Sequence, residues 1–208
     1  MPTINAIVDL SHHNGTPDFG AAKGDGILAV IHKATQGDQY TDPEYQGRRQ
    51  AALDAGLLWG AYHFGVGGDG VAQAEKFVSV VKPQQTDLLV LDLEHNPAGP
   101  TMTVDQAEAF VRRVHDLTGG WPGLYSGSYV KESLPANYAG VLANCWFWLA
   151  QYGPTPQVPP AWSQWTLWQY TDGSSGQPPY TVRGIGACDR DFFNGDASGL
   201  KTLWKVPA

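Results

Sequence analysis

Basic residues, long apolar runs and a recognisable leader are scarce or missing in this 208-residue sequence. Lys and Arg number 13 against 20 Asp and Glu, and the only adjacent basic pairs are Arg48-Arg49 and Arg112-Arg113. Because nucleic-acid binding depends on a basic surface, we expect no nucleic-acid partner. The longest apolar runs are strand-sized, so no membrane span is predicted. Residues 1–5 lead directly into a predicted strand without a secretion-signal pattern, so such a signal is either absent or already removed.

Cysteine is also scarce, with Cys145 and Cys188 alone in the chain. No Cys/His cluster has the spacing of zinc ligands, and we expect no metal and no cofactor. Two reduced, buried thiols are the default expectation, and a disulfide would require their strands to be neighbours. Hydrophobic residues make up 42% and charged residues 16%, which predicts a globular domain with a large core. The 8 Trp, 9 Tyr and 7 Phe fit a carbohydrate ligand or a bulky core equally well.

Strands and helices alternate through the first two-thirds of the chain. Helix starts are predicted at Asp42-Pro43-Glu44 and at a capping box over Thr103–Gln106. The last third contains strands joined by segments rich in Pro, Gly and Ser, with little room for crossover helices. The predicted strands are 4–10, 27–34, 57–64, 87–94, 123–126, 146–151, 165–170 and 185–193. We therefore predict one α/β domain over residues 1–208, a TIM-like β/α barrel of eight strands with helices around only about the first five.

The strand predicted over 87–94 carries the most information. Side chains alternate along a strand, so Asp92 and Glu94 should project to the same face as Leu88 and Val90. Two carboxyl groups that share a partly dry site have their pKa values pushed apart, and one can then act as an acid while the other stays ionised. The alternative is a wet strand end with two solvated acids.

In a parallel barrel, the carboxyl ends of the strands share one rim, where such enzymes place their chemistry. Ser126 and Ser128 have no evident His partner, so a serine hydrolase is not indicated. A cluster of carboxylates suits cleavage of a glycosidic bond, and Mg²⁺ or Ca²⁺ binding by the same acids is an alternative. The residues predicted at this rim are Asp9, Lys33, Tyr62, Asp92, Glu94, Tyr125, Trp148 and Gln169, together with Asp189 and Asp191 if the last strand closes the barrel.

A series of short segments runs in order over nearly the whole chain. They are VDLS (8–11), HNG (13–15), IHKATQG (31–37), GAYHF (60–64), LDLE (91–94), LYS (124–126), WLAQY (148–152), WQYT (168–171) and CDRDFF (188–193). In these segments and in their order, the chain resembles the glycoside hydrolase family 25 lysozymes, the N-acetylmuramidases of bacteria, phages and some fungi. Gln36 stands where the family often has Glu, and Asp191 stands where it often has Asn.

The resemblance implies catalytic and sugar-binding roles for particular residues. Glu94 would be the general acid and Asp92 its assisting carboxylate, while Asp9 and Asp189 would complete the acidic site. Asp189 is favoured over Asp191 as the residue that faces the site. The implied sugar-binding residues are Lys33, Tyr62, Tyr125 and Trp148, to which the rim adds Gln169. Simpler alternatives are core packing for the three aromatic residues, an ion pair for Lys33 and a turn cap for Asp9.

The implied function is hydrolysis of the β-1,4 bond between N-acetylmuramic acid and N-acetylglucosamine in bacterial peptidoglycan. The i, i+2 spacing of Asp92 and Glu94 leaves retaining, inverting and substrate-assisted routes open. Alternative functions are a chitin-type D-x-E glycosidase and an inactive barrel that binds the cell wall. We expect a monomer that acts on the cell wall, either extracellularly or after delivery by a phage.

Overall fold

The computed structural model describes residues 2–206, which are built around a closed barrel of eight strands. We number only the barrel strands and the α-helices. The strands are β1 Ile4–Leu10, β2 Ala29–Gln36, β3 Leu58–Phe64, β4 Leu88–Asp92, β5 Gly123–Ser126, β6 Trp146–Ala150, β7 Leu167–Thr171 and β8 Asp189–Phe193. The helices are α1 Phe19–Gly24, α2 Tyr45–Asp54, α3 Gly70–Val81, α4 Val104–Thr118, α5 Ser128–Ser133 and α6 Ala197–Leu203.

The first five barrel strands are each followed by a helix, whereas β6 and β7 are not, as the sequence predicted. Neighbouring strands from β1 to β7 run parallel. The last strand, β8, closes the barrel by pairing antiparallel with both β7 and β1. The prediction of an all-parallel barrel was wrong for β8. Because β8 runs in the opposite direction, its first residue lies where the other strands end.

The strand predicted over 185–193 is two separate elements. Gly186–Ala187 pairs with Thr181–Val182 in a small hairpin outside the barrel, and β8 begins only at Asp189. A further two-residue strand, Tyr40–Thr41, pairs antiparallel with the last two residues of β2. Within residues 2–206, no helix combines the length and the apolar character needed to cross a membrane.

The helix ends agree only partly with the sequence signals. The capping box at Thr103 and Gln106 is present, and Gly119 ends α4 in the left-handed conformation with φ 75°. The prediction that Asp42 caps α2 was wrong, since that helix begins at Tyr45. Asp42 instead accepts hydrogen bonds from the backbone N–H groups of His12 and Glu44, so it joins the loop after β1 to the start of α2.

Apolar side chains fill the space on both sides of the barrel wall. Val8, Val30 and Leu91 face outward and pack under the helices, whereas Ile7 and Val90 face the interior. The amino-terminal end of the barrel is closed by Trp204, which follows α6, is fully buried and donates from Nε1 to the Trp59 carbonyl oxygen at 2.8 Å. With one end filled, the polar residues of the interior are concentrated at the other end.

Candidate active site

A cavity of about 240 Å³ opens at the carboxyl ends of the parallel strands. Eight of the nine residues to which the sequence analysis assigned a catalytic or sugar-binding role line it, and Lys33 is the exception. Tyr152 is an additional lining residue. The lining consists of Asp9, Tyr62, Asp92, Glu94, Tyr125, Trp148, Tyr152, Gln169 and Asp189.

The strand alternation explains how the two central acids meet. Leu88 and Val90 belong to the interior core, and Asp92, the last residue of β4, follows them on the same face. Glu94 lies two residues beyond the end of the strand and lines the same cavity. The i, i+2 spacing therefore brings both carboxyl groups to the cavity, as predicted.

The two acids differ in their environments. Asp92 is only 6% exposed, and one of its carboxyl oxygens has no hydrogen-bond partner among residues 2–206. Burial and the negative charge of Glu94 raise the pKa of Asp92 well above its ordinary value, while Lys33 lowers it. Glu94 is less buried, and its pKa is also raised by burial against the opposing effects of Lys33 and His95. Glu94 is thus the more accessible acid, and it retains its proton to higher pH than an ordinary glutamic acid.

Lys33 lies at the edge of the acidic cavity. Its Nζ donates to Gln36 Oε1 at 2.6 Å and lies 5.0 Å from the centroid of the Phe64 ring. Burial lowers the pKa of Lys33, while the charges of Asp92 and Glu94 raise it. The ammonium group partly offsets the carboxylates, and the side chain lines an adjacent depression of about 450 Å³.

A hydrogen-bonded group connects the cavity floor to its wall. Gln169 Nε2 donates to Asp9 Oδ2 at 2.9 Å, and Gln169 Oε1 accepts from the hydroxyls of Tyr125 and Tyr152, each at 2.9 Å. Because both ends of the Gln169 amide are engaged, its orientation is fixed, and with it the two tyrosine hydroxyls. Burial, followed by the charges of Asp189 and Asp191, raises the pKa of Asp9 well above its ordinary value.

The last strand carries two aspartates with different positions. Asp189 pairs in register with Asp9 across β1 and β8 and lines the cavity, as the sequence analysis favoured. Burial and the charge of Asp172 raise its pKa to about 6. Asp191 is fully buried, and its Oδ1 accepts from Trp148 Nε1 at 2.7 Å. Trp148 itself is 1% exposed, so it contributes to the core as well as to the cavity floor.

Tyr152 is the cavity residue to which the sequence analysis gave no role. It stands two residues after the end of β6, within the WLAQY segment, and its position after a barrel strand is the signal that could have identified it. Tyr152 is 43% exposed and forms part of the cavity wall. Among residues 2–206, no group of three or more His, Cys, Asp or Glu side chains is arranged to hold a metal ion. Cys145 and Cys188 are both buried and unpaired.

Comparisons with known proteins agree with this architecture. The family model for glycosyl hydrolases family 25 matches residues 8–177. Lysozyme M1 of Streptomyces globisporus is 31% identical over 94% of this chain and 70% of its own length. The N,O-diacetylmuramidase of Chalaropsis sp is 30% identical over 94% of this chain and 96% of its own length. A bacterial lysozyme from Streptomyces coelicolor superposes with a TM-score of 0.85 at 31% identity, covering 97% of each chain. The chain therefore belongs to family 25 of the glycosyl hydrolases and is a glycoside hydrolase of the lysozyme, or muramidase, type.

Proposed function

We propose that this lysozyme hydrolyses the β-1,4 bond between N-acetylmuramic acid and N-acetylglucosamine in bacterial peptidoglycan, with Glu94 as the general acid and Asp92 as the assisting carboxylate. The observation that carries this proposal is the pairing of these two acids at one cavity with unequal burial. The names of the relatives, which are lysozyme and muramidase, support the choice of bond.

The proposed proton donor is Glu94 because it is the acid that combines access with a raised pKa. A glycosidic bond breaks when its leaving oxygen receives a proton, and a carboxyl group that stays protonated near neutral pH can supply it. Asp92 lies deeper. When Glu94 holds its proton, the Glu94 charge no longer raises the pKa of Asp92, and Lys33 favours the Asp92 carboxylate. That carboxylate would stabilise the positive charge that develops on the sugar ring. Asp9 and Asp189 add to the negative potential of the cavity, and neither requires a metal or cofactor for this role.

The sugar-binding roles that we propose follow from the chemistry of the cavity wall. Tyr62 and Tyr125 present aromatic surface, against which the apolar faces of sugar rings would pack, and the buried Trp148 supports the cavity floor beneath the sugar. Gln169 and Lys33 supply polar groups at the same rim. We also propose that residues 1–208 act as one catalytic domain and as a monomer, on cell walls reached outside the producing cell or through phage delivery.

The test replaces Glu94 with glutamine and measures cleavage of purified peptidoglycan. Mass spectrometry of the products should find N-acetylmuramic acid at the new reducing ends for the wild type. Glu94→Gln preserves the size of the side chain but removes its transferable proton, so we expect turnover to fall by roughly 10²–10⁴-fold. Far- and near-ultraviolet circular dichroism should remain unchanged.

The matched control is Glu75→Gln, which makes the same chemical change at a surface ion pair with Arg113 on α3 and α4. This control should retain wild-type turnover. Substantial turnover by Glu94→Gln would refute the assignment of the general acid. N-acetylglucosamine at the new reducing ends would refute the proposed bond while leaving a glycosidase.

A further inference from the structure

Two buried carboxyl groups lie close together inside the barrel, at the floor of the cavity. Asp9 on β1 and Asp191 on β8 project from adjacent antiparallel strands into the interior. Asp191 is fully buried and Asp9 is 6% exposed. Each carboxyl group is near enough to the other to affect its pKa. The Oδ2 atom of Asp191 has no hydrogen-bond partner among the described residues.

The surroundings of the pair do not neutralise a double negative charge. The nearby titratable groups at the cavity are Asp189 on β8, Asp92 on β4 and Tyr62 on β3. The adjacent Arg190 donates to the Thr181 carbonyl oxygen and to Asn5 Oδ1, and its positive charge opposes the effect of burial on the pKa of Asp191 only in part. Burial and the neighbouring carboxylates raise the pKa of both Asp9 and Asp191. Two carboxylates in contact cannot both be ionised without strong repulsion, and a hydrogen bond between them requires a proton.

We propose that Asp9 and Asp191 hold one proton between them at the pH at which the enzyme works. The remaining hydrogen bonds of the pair fit this assignment. Asp191 Oδ1 accepts from Trp148 at 2.7 Å, and Asp9 Oδ2 accepts from Gln169 at 2.9 Å. With a proton shared between Asp191 Oδ2 and the remaining oxygen of Asp9, each of the four carboxyl oxygens accepts a hydrogen bond or carries the proton.

The shared proton has a consequence at the cavity wall. Gln169 can hold Tyr125 and Tyr152 in place only while its amide nitrogen is bound to Asp9. If the proton is lost, the two carboxylates repel each other and Asp9 is displaced from its bond with the amide. We therefore assign Asp191 as a positioning residue, which acts through Asp9 and Gln169 on the two tyrosine hydroxyls without lining the cavity itself.

The test variant is Asp191→Asn, which keeps the shape of the side chain. Its amide oxygen can still accept from Trp148, and its NH₂ group can donate to Asp9 in place of the shared proton. Infrared spectra at pH 7 should show one protonated-carboxyl band fewer in this variant than in the wild type. Asp116→Asn, which makes the same change at an exposed residue of α4, should leave the bands unchanged.

Equilibrium unfolding gives a second, independent readout. If only the folded wild type holds this proton, its unfolding equilibrium constant should increase as the pH rises. Relative to the constant of Asp191→Asn, the increase should reach about tenfold for each pH unit. This dependence begins near the ordinary Asp pKa of about 3.9 and ends at the pKa of the folded pair. A purely structural role for Asp191 would give a difference that does not change with pH.

The proposal is overturned if Asp191→Asn retains every protonated-carboxyl band, or if the stability difference is independent of pH. Should Asp191→Asn fail to fold, Asp9→Asn provides the same infrared test, since it removes the other member of the pair. Neither readout depends on peptidoglycan cleavage. Failure of this proposal would therefore leave the assignment of Glu94 untouched, and the reverse also holds.

Discussion

Asp189→Asn should stabilise the folded enzyme at neutral pH while leaving its stability in acid unchanged. Asp189 is the first residue of β8 and is partly buried at the cavity, where its pKa is raised from 3.8 to about 6. A carboxyl group whose pKa is higher in the folded state than in the unfolded state binds a proton on folding. Its ionised form therefore destabilises the folded state, and this cost is complete above the folded pKa and absent below the unfolded one.

The size of the effect follows from these two pKa values. The difference between the two pKa values corresponds to a loss of folding stability of about 3 kcal/mol if solvent does not screen the charge. Because solvent at the cavity mouth screens it in part, we expect a loss of about 1–3 kcal/mol. We expect Asp189→Asn to be more stable than the wild type by this amount above pH 6. In a protein of this size, such a gain raises the melting temperature by about 2–12 °C.

The assay is urea unfolding of both proteins at a series of pH values from about 3 to about 8, which extends below the ordinary pKa of Asp189 and above its raised pKa. The stability difference should grow as the pH rises through the range between 3.8 and about 6, and then level off. Asp116→Asn is the control, because its carboxyl group is exposed. A difference that is constant with pH, or a wild type that becomes the more stable protein at pH 8, would refute the electrostatic reasoning.

Two further predictions concern the closed end of the barrel and the acidic surface. Trp204→Ala should lower the free energy of unfolding by about 3–5 kcal/mol in urea titrations. The substitution leaves a cavity at the closed end of the barrel and removes the hydrogen-bond donor of the Trp59 carbonyl oxygen. A loss below about 1 kcal/mol would contradict this role of Trp204. The formal net charge of −7 predicts that lysis of intact cells rises from low to moderate ionic strength, as salt screens repulsion from the anionic wall. Cleavage of short soluble glycans should change little, and a steep fall in lysis with salt would contradict this reasoning.

Local patterns predicted most of the barrel. The alternation along β4 predicted that Asp92 shares a face with Leu88 and Val90, and the structure confirms it. The capping box at Thr103 and Gln106 marked the start of α4 because that signal is contained within four residues. The failures at Asp42 and at residues 185–193 have different causes. Asp42 is bound by His12, which lies 30 positions away in the chain. Gly186–Ala187 instead pairs with the neighbouring Thr181–Val182 in a local hairpin, which separates it from the barrel strand that follows.

The sequence by itself determined which chemical groups reach the rim, because side-chain alternation and the parallel order of β1 to β7 are local or nearly local properties. Tertiary structure alone decided how the two aspartates of β8 differ. Its antiparallel direction carries Asp189 to the cavity and places Asp191 beneath it, beside Asp9 and Trp148. Burial, the pairing of carboxyl groups and the pKa values that follow from them depend on residues separated by more than a hundred positions in the chain, so no local pattern could have specified them.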